Sequence, residues 1–492
     1  MNYRSTRNSN EYVSSAQAII NGIAPDGGLY IPETIPALTA EDFAVIEKCD
    51  YKKTALTVLR KYLTDFSDEE LEYMISSAYA SFEADDVTPV KKLSGNDYVL
   101  ELWHGPTSAF KDVALQILPY FMTASAKKTG MDKTVHILVA TSGDTGKAAL
   151  EGFSDVPGTR MTVFYPADGV SSMQKLQMMT QEGENVFVSG INGNFDDAQT
   201  GVKRIFADAD IAHKLAERGQ VLSSANSINW GRLVPQIVYY VHAWSVLKKQ
   251  GALTDGGFNI VVPTGNFGNI LAAYYAKMMG VPVKKLICAS NKNRVLTDFF
   301  RSGTYDRNRK FYTTDSPSMD ILISSNLERF LCYLADGDAG AVGAFMKSLT
   351  DNGAYGITDT MKQRADELFY ASCADDEQTA ATIKKVFDEC GYLSDTHTAV
   401  GIKVCGDYRA ETGDTAPAII ASTASPYKFP AAVISALGQD VEGGDPFELI
   451  EKLSSFSGTP IPERIAALKS KKVRFSGVCE PSELADVVLR QG

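Results

Sequence analysis

Apolar and polar positions fall into two regimes along this chain, and the change comes near residue 95. Before it, helical periodicity dominates. Tyr51–Leu63 and Asp68–Ala80 repeat apolar residues at three- and four-residue intervals behind acidic starts, which predicts two capped helices. Asp26-Gly-Gly-Leu-Tyr-Ile-Pro-Glu33 predicts a turn and then a short apolar stretch. Residues 1–95 therefore read as an N-terminal domain.

Beyond residue 95 the pattern becomes strand, loop, helix, repeated. Thr134–Ala140 is a β-branched run ending in the small-residue loop Thr141-Ser-Gly-Asp-Thr-Gly146, followed by a helix carrying Ala148, Ala149, Leu150 and Phe153. Met161–Tyr165 and Asn185–Ser189 predict further short strands. Phe258–Val262 leads into Pro263-Thr-Gly-Asn-Phe-Gly-Asn269 and a helix Ile270–Met279. Ala416–Ala421 leads into Ser422-Thr-Ala-Ser425, and Pro426 opens another helical stretch. Near-continuous apolar strands alternating with helices predict an α/β fold with parallel sheets covered on both faces. In such sheets ligands sit beyond the carboxyl ends of the strands, so three loops are expected to face one cleft. Residues 431–492 read as helices plus one late strand, Lys472–Val478, packed on the core.

Composition narrows the function classes. A net charge of −12 argues against a nucleic-acid or anionic-membrane partner, which calls for a basic face. The seven cysteines are scattered without a Cys-x-x-Cys pair, as expected of reduced thiols in small core positions. No His-x-x-x-His spacing points to a metal. The first residues lack the apolar region of a signal peptide, and no run approaches the roughly 18 apolar residues of a membrane span. A cytoplasmic protein is the expectation.

Three loops carry candidate chemistry. At Gly265-Asn-Phe-Gly-Asn269 a strand feeds a glycine-rich turn that opens a helix, an arrangement that aims backbone N–H groups at an anion such as phosphate. On spacing alone, a plain strand-to-helix turn fits equally well. Thr141-Ser-Gly-Asp-Thr-Gly-Lys147 looks like a nucleotide P-loop but lacks its first glycine and the hydroxyl after the lysine. Its hydroxyls suit a carboxylate or phosphate held without a metal, and Thr141 and Ser142 alone read better as helix caps. In His104-Gly-Pro-Thr-Ser-Ala-Phe-Lys-Asp112, Pro106-Thr-Ser108 predicts a turn and cap, with Lys111 in the first helical turn. Phe110 and Val113–Leu118 make its surroundings apolar enough to depress the amine, as Schiff-base chemistry requires. Ser108 to Lys111 also matches Ser-x-x-Lys, but the accompanying Ser-Asp-Asn is absent and Lys128-Thr-Gly130 lies too close in sequence.

Taken together these segments resemble the threonine synthase family, of the longer type found in many bacteria and in fungi. The likeness runs nearly the whole length. It also takes in Ser5-Thr-Arg7, Asn226-Ser-Ile-Asn-Trp-Gly-Arg-Leu233, His397-Thr-Ala-Val-Gly401 and Thr423-Ala-Ser-Pro-Tyr-Lys-Phe429. Two departures stand out: the family usually has His where Ser425 sits and Pro where Thr396 sits.

The resemblance implies two parallel-sheet α/β domains of the β-family (fold type II) pyridoxal-phosphate enzymes, with an N-terminal extension. The catalytic core would span residues 96–430, its smaller domain roughly 130–225. Lys111 would carry the pyridoxal 5'-phosphate as a Schiff base. Gly265, Asn266, Phe267 and Asn269 would hold the cofactor phosphate, and Thr423 would face the pyridine nitrogen. Thr141, Ser142, Asp144 and Thr145 would take the substrate carboxylate, while Asn226, Ser227 and Arg232 would grip a phosphate on the substrate. Arg232 supplies a guanidinium fork suited to that phosphate. The implied substrate is O-phospho-L-homoserine and the products are L-threonine and phosphate. Two rivals stay open at this point: a phospho-lyase that releases 2-oxobutyrate, and an inactive homologue, against which the intact Lys111 argues. A monomer and a homodimer are equally compatible with the sequence.

Overall fold

Strands Phe258–Pro263 and Ala418–Ser422 are buried along their whole lengths, in keeping with their mostly apolar character. The computed structural model describes residues 1–141, 143–253, 256–441 and 445–491. These two strands lie side by side in a six-stranded sheet. Its order is Phe369–Cys373, Val283–Ser290, Phe258–Pro263, Ala418–Ser422, Asp97–Glu101 and Val90–Ser94. Every neighbouring pair is parallel except the last. A second sheet of five parallel strands runs Val478–Cys479, Val186–Ile191, Thr159–Pro166, Thr134–Ala140 and Gln220–Ser223. The chain thus builds two parallel-sheet α/β layers behind an N-terminal region.

That N-terminal region contains a small antiparallel sheet, with Tyr3–Ser5 between Tyr12–Val13 and Tyr30–Pro32. Helices Tyr51–Tyr62 and Asp68–Ala78 follow, capped by Asp50 and by a Ser67–Glu70 capping box. The long helix Trp230–Lys249 ties the parts together. It packs on Tyr51–Tyr62, on Gly268–Met278 and on the short helix Lys111–Leu115. Tyr3, Tyr62, Trp230 and Tyr275 meet there with ring centroids 5.3–6.2 Å apart. Each such pair adds about 0.5–1.5 kcal/mol beyond simple burial. One apolar core therefore runs from the first strand to the helix beside Lys111.

Two elements differ from the expectation. The strand expected at Ala416–Ala421 is Ala418–Ser422, because Pro417 has no N–H for the ladder and offers only its carbonyl, to Asn259 N at 2.7 Å. The late strand expected over Lys472–Val478 shrinks to Val478–Cys479. Ahead of it, the N–H groups of Arg474 and Phe475 both donate to Met179 O, at 2.8 and 3.1 Å. The Arg474 guanidinium caps the Gln181 and Gly183 carbonyls, so no ladder forms there. No helix among the described residues is long and apolar enough to cross a membrane. Nor do three His, Cys, Asp or Glu side chains among them group so as to hold a metal ion.

Candidate active site

The lysine segment folds as a tight turn stitched to the strand-end loop at Thr423. Phe110 N donates to Thr423 O at 2.8 Å and Ser425 N to Ser108 O at 3.0 Å, making an antiparallel clasp of Ala109 with Ala424. The expected cap at Ser108 is replaced by the reverse arrangement. Ser108 takes a left-handed conformation, φ 58°, and Asp112 reaches back to accept from Thr107 N at 2.8 Å and Thr107 Oγ1 at 2.6 Å. Gly105 is required here, since a Cβ would lie 2.4 Å from Asp112 Cβ. Burial pushes Asp112 up to about 6.

Lys111 opens the helix Lys111–Leu115 and is largely enclosed, its side chain 11% exposed. Its Nζ donates to Ser318 Oγ at 3.4 Å and lies 3.9 Å from Asp144 Oδ2. Burial pushes its amine down to about 8; Asp144 opposes the shift, while Arg232 and Lys428 add to it. Ser318 is itself fixed, its N–H donating to His397 Nε2 at 3.1 Å. That bond leaves Nδ1–H of His397 to meet Asp395 Oδ1 at 3.0 Å.

The Gly265–Asn269 loop follows strand Phe258–Pro263 and opens the helix Gly268–Met278. Phe267 is held at φ 63° by packing against Phe300, Phe330 and Phe369, with centroids 5.8–6.0 Å away. A Cβ on Gly265 would lie 2.8 Å from Ser318 O, so the loop passes directly behind the partner of Lys111. Asn269 Oδ1 accepts from Tyr239 at 2.9 Å and from Tyr240, which leaves its Nδ2 buried without an acceptor among the described residues. A buried donor of that kind calls for a ligand oxygen. Ser324 Oγ donates to Gly265 O at 2.8 Å, and Asn326 donates twice to Asn266 O at 3.1 Å.

The third loop behaves in two ways. Thr141 Oγ1 accepts from Gly143 N at 3.0 Å and Gly146 N at 2.9 Å, so its hydroxyl oxygen caps the helix Asp144–Phe153. Lys147 turns away to Glu151 at 2.8 Å. Thr145 Oγ1 faces the cleft and accepts from Arg232 Nη2 at 3.3 Å. Ser142 lies outside the described residues. Asp144 is unsuited to taking a carboxylate: burial raises it, but Lys428 at 2.6 Å and Lys111 outweigh that and keep it an anion. It repels the group it was expected to bind.

Arg232 is buried, donates to Ala225 O at 2.9 Å, and is pushed down to about 10 by burial, so it remains charged. Among the described residues no carboxylate lies within 4.0 Å of it. Buried charges are ordinarily paired, and an unpaired guanidinium is a waiting anion site. Ser227 Oγ lies 3.3 Å from Ser325 Oγ, which also donates to Asn266 Oδ1 at 3.4 Å. One hydroxyl therefore joins the segment of Asn226 and Ser227 to the Gly265 loop. Thr423 N donates to Thr398 Oγ1 at 3.3 Å, fixing the loop that faces Lys111.

Ser318, Ser324–Asn326, Gln174 and Lys428 entered no expectation. Lys428 stood inside the Thr423–Phe429 motif, a signal that could have found it. The two departures have local explanations. Ser425 caps a 3-10 turn by accepting from Tyr427 N at 3.4 Å. Thr396 is the first residue of helix Thr396–Thr412, a position where proline is also at home.

Residues 2–79 match the family described as threonine synthase N terminus, residues 84–344 that of pyridoxal-phosphate dependent enzymes, and residues 398–488 that of threonine synthase, C-terminal. Threonine synthase-like 1 of Homo sapiens is 42% identical over 434 residues, which cover 86% of this chain and 58% of that protein. The chain thus spans less than two thirds of that longer relative. Threonine synthase of Pseudomonas aeruginosa is 39% identical over 488 residues, 99% of this chain and 97% of that one. The crystal structure of PLP-bound threonine synthase from Brucella melitensis superposes with a TM-score of 0.89 at 37% identity, covering 100% of this chain and 99% of that chain.

Proposed function

The chain belongs to the threonine synthase family of pyridoxal-phosphate enzymes, and from that premise we propose that it converts O-phospho-L-homoserine and water to L-threonine and phosphate. The observation that carries the reading is the pairing of a largely enclosed lysine with a buried guanidinium in one site. Lys111 has an amine pushed down to about 8, and Arg232 is a guanidinium without a carboxylate partner among the described residues. The first suits a nucleophile and base, the second a phosphate.

Pyridoxal 5'-phosphate fits the residues present. Lys111 would hold it covalently, the Gly265–Asn269 loop with the unmet Asn269 Nδ2 would take its phosphate, and Thr423 would face the pyridine nitrogen. When bound, it supplies the electron sink that makes the α-proton of an amino acid acidic. The chain's own groups do the rest. Arg232, Asn226 and Ser227 bind the substrate phosphate, so only a phosphorylated side chain fills the site. The helix start at Thr145, with the Thr141 loop, receives the carboxylate on backbone N–H groups. Lys111, once released by the substrate amine, removes the α-proton and moves protons at the neighbouring carbons as phosphate departs. Water then adds at the β carbon. All seven cysteines are free, in keeping with a reducing cytoplasm as the place of work.

The test is a product assay of the purified protein with O-phospho-L-homoserine, quantifying threonine, 2-oxobutyrate and phosphate, with K111A as the blank. Threonine equal to released phosphate is expected. 2-Oxobutyrate without threonine would overturn the reading.

A further inference from the structure

Lys428 is used by no step of the proposed reaction, yet no lysine near the site is more deeply enclosed. Its side chain is fully buried, with Nζ 2.6 Å from Asp144 Oδ1 and 3.0 Å from the Thr107 carbonyl. A lysine so far from water persists only when paired. Its partner is also the carboxylate that faces Lys111, at 3.9 Å from Nζ. Asp144 cannot swing freely between them. Gln174 Nε2 donates to Asp144 Oδ1 at 2.8 Å, and Gln174 is itself lodged over Gly143, where a Cβ would meet it at 2.5 Å.

We propose that Lys428 is a positioning residue that occupies Asp144 and so denies Lys111 a carboxylate partner of its own, an inference that rests on Lys111 being the base of the proposed reaction. Two amines face one carboxylate, and the distances show which one holds it. Without Lys428, the whole charge of Asp144 would act on Lys111, which would hold its proton and lose the neutral form a base requires. The remaining charges around Lys111 are Arg232 from the helix Trp230–Lys249 and Asp112 from its own helix. Asp112 is tied to Thr107 and faces Lys428 and Glu151. Burial is common to every variant at position 428, so the charge at that position, acting through Asp144, sets the difference.

The test follows the amine itself. The full-length protein, freed of cofactor, is acylated with a limiting amine reagent from about pH 6 to about pH 10, and modification of Lys111 is read by peptide mass spectrometry. The wild-type midpoint is expected near 8. K428M should raise it by about one pH unit or more, D144N should lower it, and K428R should leave it near the wild type. A midpoint unmoved or lowered in K428M, or moved as far by K428R as by K428M, overturns the proposal. Should K428M fail to fold, D144N and the double variant K428M/D144N decide. Lys428 acts through Asp144, so once Asp144 is gone its removal should move the Lys111 midpoint by less than about half a pH unit; a larger shift from D144N to the double variant is direct repulsion and overturns the proposal. Visible absorbance of the holoenzyme that borohydride abolishes is the separate check on Lys111 as the cofactor anchor. A colourless wild type would sink that assignment and leave the acylation result standing.

Discussion

The lysine turn and the loop after strand Thr134–Ala140 each bury an aspartate beside Lys111, in the first turn of a helix, and the protein treats the two charges in opposite ways. Burial pushes Asp112 up to about 6, and its two bonds from Thr107 do not offset that. Burial acts on Asp144 as well, but Lys428 and Lys111 outweigh it and hold the carboxylate well below its ordinary range. Lys428 pulls on both, but it offsets burial only at Asp144, which it meets at 2.6 Å and which Lys111 also faces. One aspartate is therefore a group whose charge changes within the working pH range, and the other is a permanent anion.

The sharpest way to break this contrast is to remove what both aspartates face. K111A should reduce turnover by about 10⁴-fold or more, the loss expected when one group acts as both nucleophile and base, measured as threonine formed per enzyme. A variant retaining a tenth of the activity would mean that another group does the work. Next in size is D144N, which strands the buried Lys428 and should cost about 3–5 kcal/mol in stability, against a smaller loss for D112N, compared by thermal unfolding at pH 7.

The two aspartates should also give opposite pH slopes. Asp112 has a folded-state value near 6, above its ordinary 3.8, so its contribution to stability is full below about pH 4 and is lost as pH rises through about 6. The gap in melting temperature between wild type and D112N should narrow over that window, by the equivalent of about 3 kcal/mol. Asp144 has a depressed value, so its contribution is present above about pH 4 and lost as pH falls below it. The gap to D144N should therefore widen with rising pH, and slopes of the same sign for both variants would refute the contrast. The smallest effect belongs to T107V. It removes the 2.6 Å hydroxyl bond to Asp112 but keeps the carbonyl that receives Lys428. A loss of about 1 kcal/mol is expected, with the titration of Lys111 unmoved.

Legibility followed the range of the forces involved. Strands such as Thr134–Ala140 and Phe258–Pro263 are readable because burial on both faces favours near-continuous apolar runs, even with His136 and Asn259 buried within them. Helix Tyr51–Tyr62 was readable from its cap and its stripe. Lys111 was readable because its apolar neighbours are local in sequence. Its working partners were not. Ser318 is 207 residues away along the chain, and the Thr107 carbonyl that receives Lys428 is 321 residues from it. Nothing local encodes such pairs. The partner of Asp144 is hidden for the same reason: beside the hydroxyls of its own loop it reads as part of an anion cradle, and only the fold brings Lys428 against it.

The clasp of Ala109 with Ala424 also constrains how this molecule can breathe. Lys111 and Thr423 are joined by backbone bonds on either side of that bridge, so they travel as one rigid body. That body faces the layer carrying Asp144 and Thr145. The contacts across include Lys428 on Asp144, Gln177 Nε2 on the Thr107 carbonyl at 3.4 Å, Ser171 Oγ on the Lys428 carbonyl at 3.3 Å and Gln116 Nε2 on the Ala148 carbonyl at 3.2 Å. Two of these four contacts run through Lys428, so the residue that restrains Asp144 also ties the clasp to the layer behind it.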